Sequence, residues 1–251
     1  DALTTLDFVQ NIYRAILKID HKSESFRSVY DRRKVLMNAL NNPVEETADF
    51  CKIVLSKEKD AIYYLTDNTT QEKELLFKLL DKYGLEYRKE DLNNALDYVY
   101  HDLHTYLMKY HFKIDLLDKY FQEYKYQKVI NKIFPEFMNM VNEQAVKREY
   151  NALLQPRSAL VERIDHKDAQ TYFTDAMGVE YLAYIMSKCH DRNLMAKVSV
   201  CRCELPSITS RNKEFWDTLS SEQFPIITVD RLDKIKHHGG EGFDYSREDR
   251  K

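Results

Sequence analysis

Apolar residues recur at intervals of three and four positions over the long first part of the chain, which is the spacing of one helix face. The segment 69–84, TTQEKELLFKLLDKYG, is the clearest example. Its apolar face is formed by Leu75, Leu76, Leu79 and Leu80. Thr69 and Glu72 have the spacing of a capping box at the start of this helix, and Gly84 is a stop signal at its end. We therefore predict a helix with one buried face.

Further helix signals continue up to about residue 154. Asn42 is predicted as the N-cap of a helix with Pro43 in its first position and Glu45 as the reciprocal capping acid. Before Gly178 the only glycine is Gly84, and a stretch so poor in glycine favours helix. Together these signals predict about seven to nine helices in this part of the chain.

After Pro156 the pattern of the chain changes. Short β-branched and aromatic runs predict a strand followed by a tight turn within 168–178 and further strands at 195–205 and 224–232, and the segment 179–192 between the first two strands is predicted as a helix. Strands that alternate with helices are typical of an α/β sheet. We therefore predict an α+β protein overall, with an all-α region over residues 1–155 and an incomplete α/β domain over residues 156–251.

Charge and composition narrow the function classes. The chain has 251 residues, and 38 basic against 41 acidic residues give a net charge of −3, so bulk charge argues against a basic nucleic-acid-binding module. Its four cysteines form no Cys-x-x-Cys motif, which indicates a reducing compartment, and we expect a cytoplasmic protein. No apolar run is long enough to predict a membrane span. Because the sequence starts at Asp1 without a methionine, we expect a fragment of a longer protein.

Two residues have side chains suited to chemistry. Asp175 directly follows the first predicted strand, where a carboxylate can bind a divalent cation at the end of a sheet, or can instead cap the helix that starts near Gly178. Thr209 follows the second predicted strand. Its hydroxyl is either a nucleophile or the cap of a predicted helix that runs through Phe215 and Trp216, and Ser210 is the alternative cap of that helix.

The segments TDAMGVEYLAYI and LPSITSRNKEFW, which start at residues 174 and 205, resemble the PglZ-type phosphatase domain of BREX phage-defence systems. The resemblance covers roughly residues 165–235 and is strongest to the type-4 BREX version. PglZ domains are similar to the alkaline phosphatase superfamily. The resemblance implies that Asp175 binds a metal and that Thr209 is the nucleophile and also contacts metal. It implies that Ser207 is a lower-ranked candidate for the nucleophile and that Asn212 and Ser207 are candidates for substrate binding.

The same resemblance implies divalent ions, Zn, Mn or Mg, as cofactors and a phosphoester or nucleic acid as substrate. In the superfamily the later metal ligands include an Asp-His pair. The Asp-His dipeptides of this chain, Asp20-His21 and Asp165-His166, lie away from the expected place. Asp230, with His237 and His238 after it, is an alternative set of later metal ligands, but these residues do not match the pattern of the superfamily. We therefore expect a truncated domain that is inactive alone.

Two alternatives stay open. The first is a non-catalytic helical scaffold that docks other BREX-system proteins, with no membrane involved. The second is a metal site of the HD-hydrolase type, because His101, His104 and His111 fall within about 80° of one another on a continuous helix, and Asp102 follows His101.

Overall fold

The structure is a computed structural model that describes residues 4–164, 169–204, 207–213 and 216–237. Most of the described residues are helical, and two strands form a small parallel sheet, so the protein is α+β. The chain forms two compact units. Of the described residues, unit 1 contains those from Thr4 to Thr105 together with Gln127–Lys132, and unit 2 contains Tyr106–Tyr126 and those from Ile133 to His237. The predicted division at residues 155/156 falls inside unit 2 and stays a prediction.

The helices follow in chain order. The first seven are α1 Thr5–Leu17, α2 Phe26–Ala39, α3 Val44–Val54, α4 Thr70–Tyr83, α5 Lys89–Val99, α6 His101–Leu107 and α7 Asp115–Val129. The others are α8 Pro135–Lys147, α9 Tyr150–Leu153, α10 Arg157–Val161, α11 Leu182–Asp191, α12 Trp216–Leu219 and α13 Arg231–His237. Segments of 3₁₀ helix lie at Leu55–Tyr64, Val179–Tyr181 and Thr209–Arg211. No described helix combines the length and the apolar character that crossing a bilayer requires.

Helix α4 confirms the prediction made from its apolar spacing. Its four leucines are all buried in unit 1. Thr69 is the N-cap, and its hydroxyl accepts a hydrogen bond from the backbone N–H of Glu72 at 3.1 Å. The carboxylate of Glu72 turns inward and accepts a hydrogen bond from the same hydroxyl, so the cap also fixes a charged side chain in the core.

The cap predicted for α3 is wrong. Asn41 and Asn42 have positive φ angles of 56° and 44°, and the N–H of Asn42 donates to the carbonyl of Met37 at 2.8 Å. The two asparagines therefore terminate α2 in the left-handed conformation that asparagine tolerates. Helix α3 begins only at Val44, with Pro43 as its N-cap.

Gly84 is needed for a close approach and not for a left-handed turn. Its φ is −54°, and a Cβ at this position would lie 2.7 Å from Cβ of Ile130 and 2.9 Å from its Cγ2. Ile130 is fully buried and β-branched, so it cannot turn away from an added methyl group. The helix does end at this glycine, as its sequence predicts, but the residue is glycine because a side chain would not fit there.

We expect Gly84→Ala to lower the free energy of unfolding by about 1–3 kcal/mol, because the new methyl overpacks a closed core. Urea unfolding followed by circular dichroism measures the loss. Gly178→Ala is the matched control, since its added Cβ meets only the movable carboxylate end of Glu180. Equal stability of the Gly84→Ala variant and the wild type would contradict the packing argument.

Unit 2 holds the sheet. Strand β1, Tyr172–Thr174, pairs in parallel with β2, Ile227–Val229, in the register Tyr172 with Ile227 and Thr174 with Val229. The parallel pairing agrees with the predicted strand order, since helix α11 lies in the connection. Phe173 of β1 packs against Val161, Leu219 and Trp216 in a small apolar cluster.

The strand predicted at 195–205 is not found in its described part, residues 195–204. Only an isolated parallel bridge joins Arg202 to Pro156. The backbone N–H of Arg202 donates to the carbonyl of Gln155 at 3.0 Å, and its guanidinium donates to the carbonyl of Leu154 at 2.8 Å. The segment therefore pairs with an irregular stretch that cannot extend a ladder.

Candidate functional site: the carboxyl end of the parallel pair

The ends of β1 and β2 place two carboxylates at one edge of the sheet. Asp175 directly follows β1, and its backbone N–H still donates to the carbonyl of Val229 at 3.0 Å. Asp230 directly follows β2. Because parallel strands end at the same edge, this is where ligands of open α/β sheets bind. The register thus makes Asp230 the neighbour of Asp175 across the pair.

Thr209 comes to the same edge from a separate loop. Its hydroxyl Oγ1 lies 3.4 Å from both carboxylate oxygens of Asp175, across a separation of 34 residues in sequence. The carboxylate also accepts the N–H of Ala176 at 2.9 Å. Both side chains are half-buried. The arrangement places an alcohol against an acid, with part of each side chain open to solvent.

Neither of the capping alternatives is realised. Ile208, not Thr209, is the N-cap of the 3₁₀ turn Thr209–Arg211. Gly178, not Asp175, precedes the 3₁₀ turn at Val179, and no side chain caps that turn. The helix predicted to run from a cap at Thr209 or Ser210 through Trp216 is wrong, because the 3₁₀ turn ends at Arg211 and the next two residues, Asn212 and Lys213, are not helical. Phe215 lies outside the described residues.

The backbone next to Asp175 is in an unfavourable conformation. Ala176 has φ of 58°, a left-handed value that costs a residue with a Cβ about 1–2 kcal/mol. Such outliers concentrate at functional sites, where the surrounding structure holds them. This turn directs the N–H of Ala176 onto the carboxylate of Asp175 and so fixes the position of the acid.

Asn212 shapes the loop that carries Thr209. Its side chain is 5% exposed. The oxygen Oδ1 accepts the N–H of Glu204 at 2.9 Å, and Nδ2 donates to the carbonyl of Ile208 at 3.0 Å. Its own carbonyl accepts a hydrogen bond from Arg157. Asn212 is thus tied to the loop backbone, and its predicted role in substrate binding stays a prediction. Ser207 lies exposed on the same loop.

Only some of the candidates for the later metal ligands lie among the described residues. The Asp230 carboxylate pairs with Lys234 of α13 at 3.1 Å. His237 ends α13, while His238 and the dipeptide Asp165-His166 lie outside the described residues.

The prediction that three histidines share one helix is wrong. Helix α6 ends at Leu107, and His111 lies beyond it, with Nδ1 3.6 Å from Asp118. His101 and His104 instead form a group with Asp97, an acid that the sequence motifs did not indicate. The signal that could have found Asp97 is its spacing, since positions 97, 101 and 104 fall on one helical face.

Comparison with known protein families gives a match to part of the chain. Residues 1–83 match a family described as a domain of unknown function, DUF7863. This region covers α1 to α4 of unit 1 and does not include Asp175 or Thr209. No curated protein and no solved structure matches the chain.

Proposed function

We propose that this chain belongs to a PglZ-type phosphatase of a BREX antiviral defence system and contributes the nucleophile of a metal-dependent phosphoester hydrolase. The observation that carries the proposal is the contact of Thr209 Oγ1 with both carboxylate oxygens of Asp175, at 3.4 Å, at the carboxyl edge of a parallel pair. Two residues from distant segments meet where the resemblance requires a nucleophile and a metal ligand.

The donor set suits a hard divalent ion such as Mg²⁺, Mn²⁺ or Zn²⁺. Asp175 and Thr209 would bind it, and Asp230 stands at the adjacent strand end as a further carboxylate. Such an ion supplies charge neutralisation and a hydroxyl that is easier to deprotonate. The second set of ligands is not assembled among the described residues, and this chain is expected to hydrolyse little phosphoester alone.

The chemistry assigned to the chain is nucleophilic substitution at phosphorus. Oγ1 of Thr209 forms a bond to phosphorus while the bond from phosphorus to the leaving alcohol breaks, and the departing oxygen takes up a proton from water. The proton of the Thr209 hydroxyl is lost to solvent. A water molecule then cleaves the phosphothreonine and regenerates Thr209.

In the natural full-length protein, Thr209→Ala and Asp175→Asn are each expected to reduce hydrolysis of a chromogenic phosphodiester to the rate seen without protein. The covalent route requires the hydroxyl, so Thr209→Ser keeps part of the activity. Ser210→Ala, which removes the neighbouring exposed hydroxyl, is the matched control and keeps full activity. Circular dichroism checks that each variant is folded. Near-normal turnover by a folded Thr209→Ala variant would overturn the assignment.

A second candidate function is a helical scaffold that docks other proteins of the BREX system in the cytoplasm. Helix α8 favours it, because none of its residues is buried and Met138 and Val146 are 42% and 83% exposed. Phage protection by a Thr209→Ala/Asp175→Asn variant at the wild-type level would support the scaffold. Loss of protection together with hydrolysis would support the enzyme.

A further inference from the structure

We propose that Asp97, His101 and His104 bind one transition-metal ion of the zinc class, at a site in unit 1 that is separate from Asp175 and Thr209. Each of the three side chains offers one ligand atom, and all three atoms lie within 4.8 Å of one another. The inference goes beyond the proposed hydrolase and does not depend on it.

The distances are those of a metal site. Oδ1 of Asp97 lies 3.1 Å from Nδ1 of His101 and 3.5 Å from Nδ1 of His104. Ligands about 2.0–2.1 Å from a tetrahedral zinc ion are themselves roughly 3.3 Å apart, so both separations fit one shared ion. The two imidazole rings are 5.9 Å apart and tilted by 41°, which leaves space between them.

The local fold brings the three ligands to one side. Helix α5 ends at Val99, and Tyr100, with φ of −149° and ψ of 80°, interrupts the helix before α6 starts at His101. The N–H of His104 donates to the carbonyl of Tyr100 at 3.0 Å, so the first turn of α6 is anchored at the interruption. Asp97 at the end of one helix thereby faces both histidines of the next.

One ring nitrogen in this group lacks a hydrogen bond. Nδ1 of His104 is buried and makes no hydrogen bond within the described chain. The Asp97 carboxylate lies 3.5 Å from this nitrogen, beyond the usual length of such a bond. Buried polar atoms are normally satisfied, and a coordinated ion would satisfy this one.

The chemical types of the three ligands indicate which class of metal ion the site binds. Two imidazoles with one carboxylate suit Zn²⁺, Co²⁺, Ni²⁺ or Cu²⁺, whereas Mg²⁺ and Ca²⁺ prefer ligand sets made of oxygen. Three protein ligands leave a fourth position of a tetrahedral ion open. The side chains of Asp97 and His101 are 55% and 59% exposed, so water or an external group can reach that position.

The test is titration of the full chain with Co²⁺, read by its visible absorption, followed by displacement with Zn²⁺. Asp97→Asn, His101→Ala and His104→Ala are each expected to weaken binding at least tenfold. His111→Ala is the matched control: it also removes a histidine beside an acid, since Asp118 lies 3.6 Å from that ring. Asp175→Asn separates this site from the proposed hydrolase site, and we expect it to leave the affinity unchanged.

Wild-type affinity in the three variants, or no saturable binding by the wild type, would overturn the site and leave a hydrogen-bonded Asp-His group only. Competition by Mg²⁺ as effective as that by Zn²⁺ would overturn the choice of metal class. Asp97→Asn keeps the shape of an exposed side chain, so it tests the site even where the histidine variants fold poorly.

Discussion

Replacement of Arg33 by methionine is expected to destabilise the protein by about 3–5 kcal/mol near pH 8, since it leaves the buried carboxylate of Glu72 without its counter-charge. Both side chains are 2% exposed, and Nη2 of Arg33 lies 3.5 Å from Oε1 of Glu72. The same nitrogen donates to the carbonyl of Tyr64 at 2.7 Å, and the guanidinium stacks over the ring of Phe50. Methionine replaces the packing but supplies neither the charge nor the donor.

The Glu72 carboxylate is held by a full set of donors. Oε1 accepts the backbone N–H of Thr66 at 3.0 Å, and Oε2 accepts the hydroxyls of Thr66 and Thr69 at 2.8 and 3.1 Å. Burial raises the pKa of Glu72 above its usual value of 4.5, while Arg33 and these hydrogen bonds oppose that rise. Removal of Arg33 therefore raises the pKa of Glu72 further.

The destabilisation caused by Arg33→Met depends on pH through the ionisation of Glu72. A carboxyl whose pKa is raised by folding binds its proton more tightly in the folded state, so its contribution to stability is full below pH 4.5 and is lost as the pH rises through the folded pKa. In Arg33→Met this loss grows and moves to higher pH. The variant should therefore be nearer to wild type at pH 5 than at pH 8.

Urea unfolding at pH 5 and pH 8 measures both effects. Arg33→Met/Glu72→Gln should recover much of the stability, because the unpaired charge is gone while an oxygen remains for the N–H of Thr66. Arg32→Met is the matched control, since Arg32 is the exposed neighbour on α2. A pH-independent loss, or a double variant as unstable as the single one, would show that Arg33 acts by packing alone.

Raising the pH above 10 is expected to unfold the protein cooperatively, because burial raises the pKa of many tyrosines above their usual value of 10. The tyrosines with raised pKa among the described residues are Tyr13, Tyr30, Tyr63, Tyr87, Tyr98, Tyr106, Tyr120 and Tyr126. In the unfolded chain they ionise near pH 10, and the folded chain keeps their protons. Their contribution is thus full below pH 10 and is lost as the pH rises through the folded pKa values. For the fully buried Tyr30, the free energy of unfolding falls by about 1.4 kcal/mol for every pH unit between its unfolded and folded pKa, and the partly exposed tyrosines each contribute less because solvent screens them.

Tyrosinate absorbance and circular dichroism recorded in one titration measure this effect. We expect most of the absorbance change to coincide with unfolding. Tyr30→Phe should flatten the loss of stability above pH 10, since Tyr30 is fully buried and its hydroxyl donates to the carbonyl of Leu65. Complete ionisation near pH 10 with the helical signal intact would contradict the expected burial of these rings.

Lys125 has the opposite effect on stability, and its effect occurs at lower pH than that of the tyrosines. Burial lowers its pKa from 10.5 to about 8, and its Nζ donates to the carbonyls of Tyr106 and Met108. A lysine that folding makes easier to deprotonate adds stability as the pH rises from about 8 to 10.5. The stability curve should therefore pass through a shallow rise before the loss due to the tyrosines, and Lys125→Met should remove that rise.

Residues close together in sequence determined the features that were predicted correctly. The buried face of α4 follows from the spacing of its leucines, and the cap at Thr69 follows from a hydrogen bond that spans three positions. The strands at 172–174 and 227–229 follow from short runs of apolar residues. Such patterns depend on contacts within one turn or one strand, and the local sequence contains all the residues that make them.

Only the tertiary structure decided the rest. The segment 195–204 has the pattern of a strand but no regular edge to pair with, and Gly84 is required because Ile130 reaches it from elsewhere in the chain. The 3.4 Å contact of Thr209 with Asp175 depends on how a loop returns to the end of β1. Burial of Arg33 beside Glu72 likewise depends on the packing of helices far apart in sequence. Strand pairing and burial each require two surfaces from different parts of the chain, and a local sequence pattern describes only one of those two surfaces.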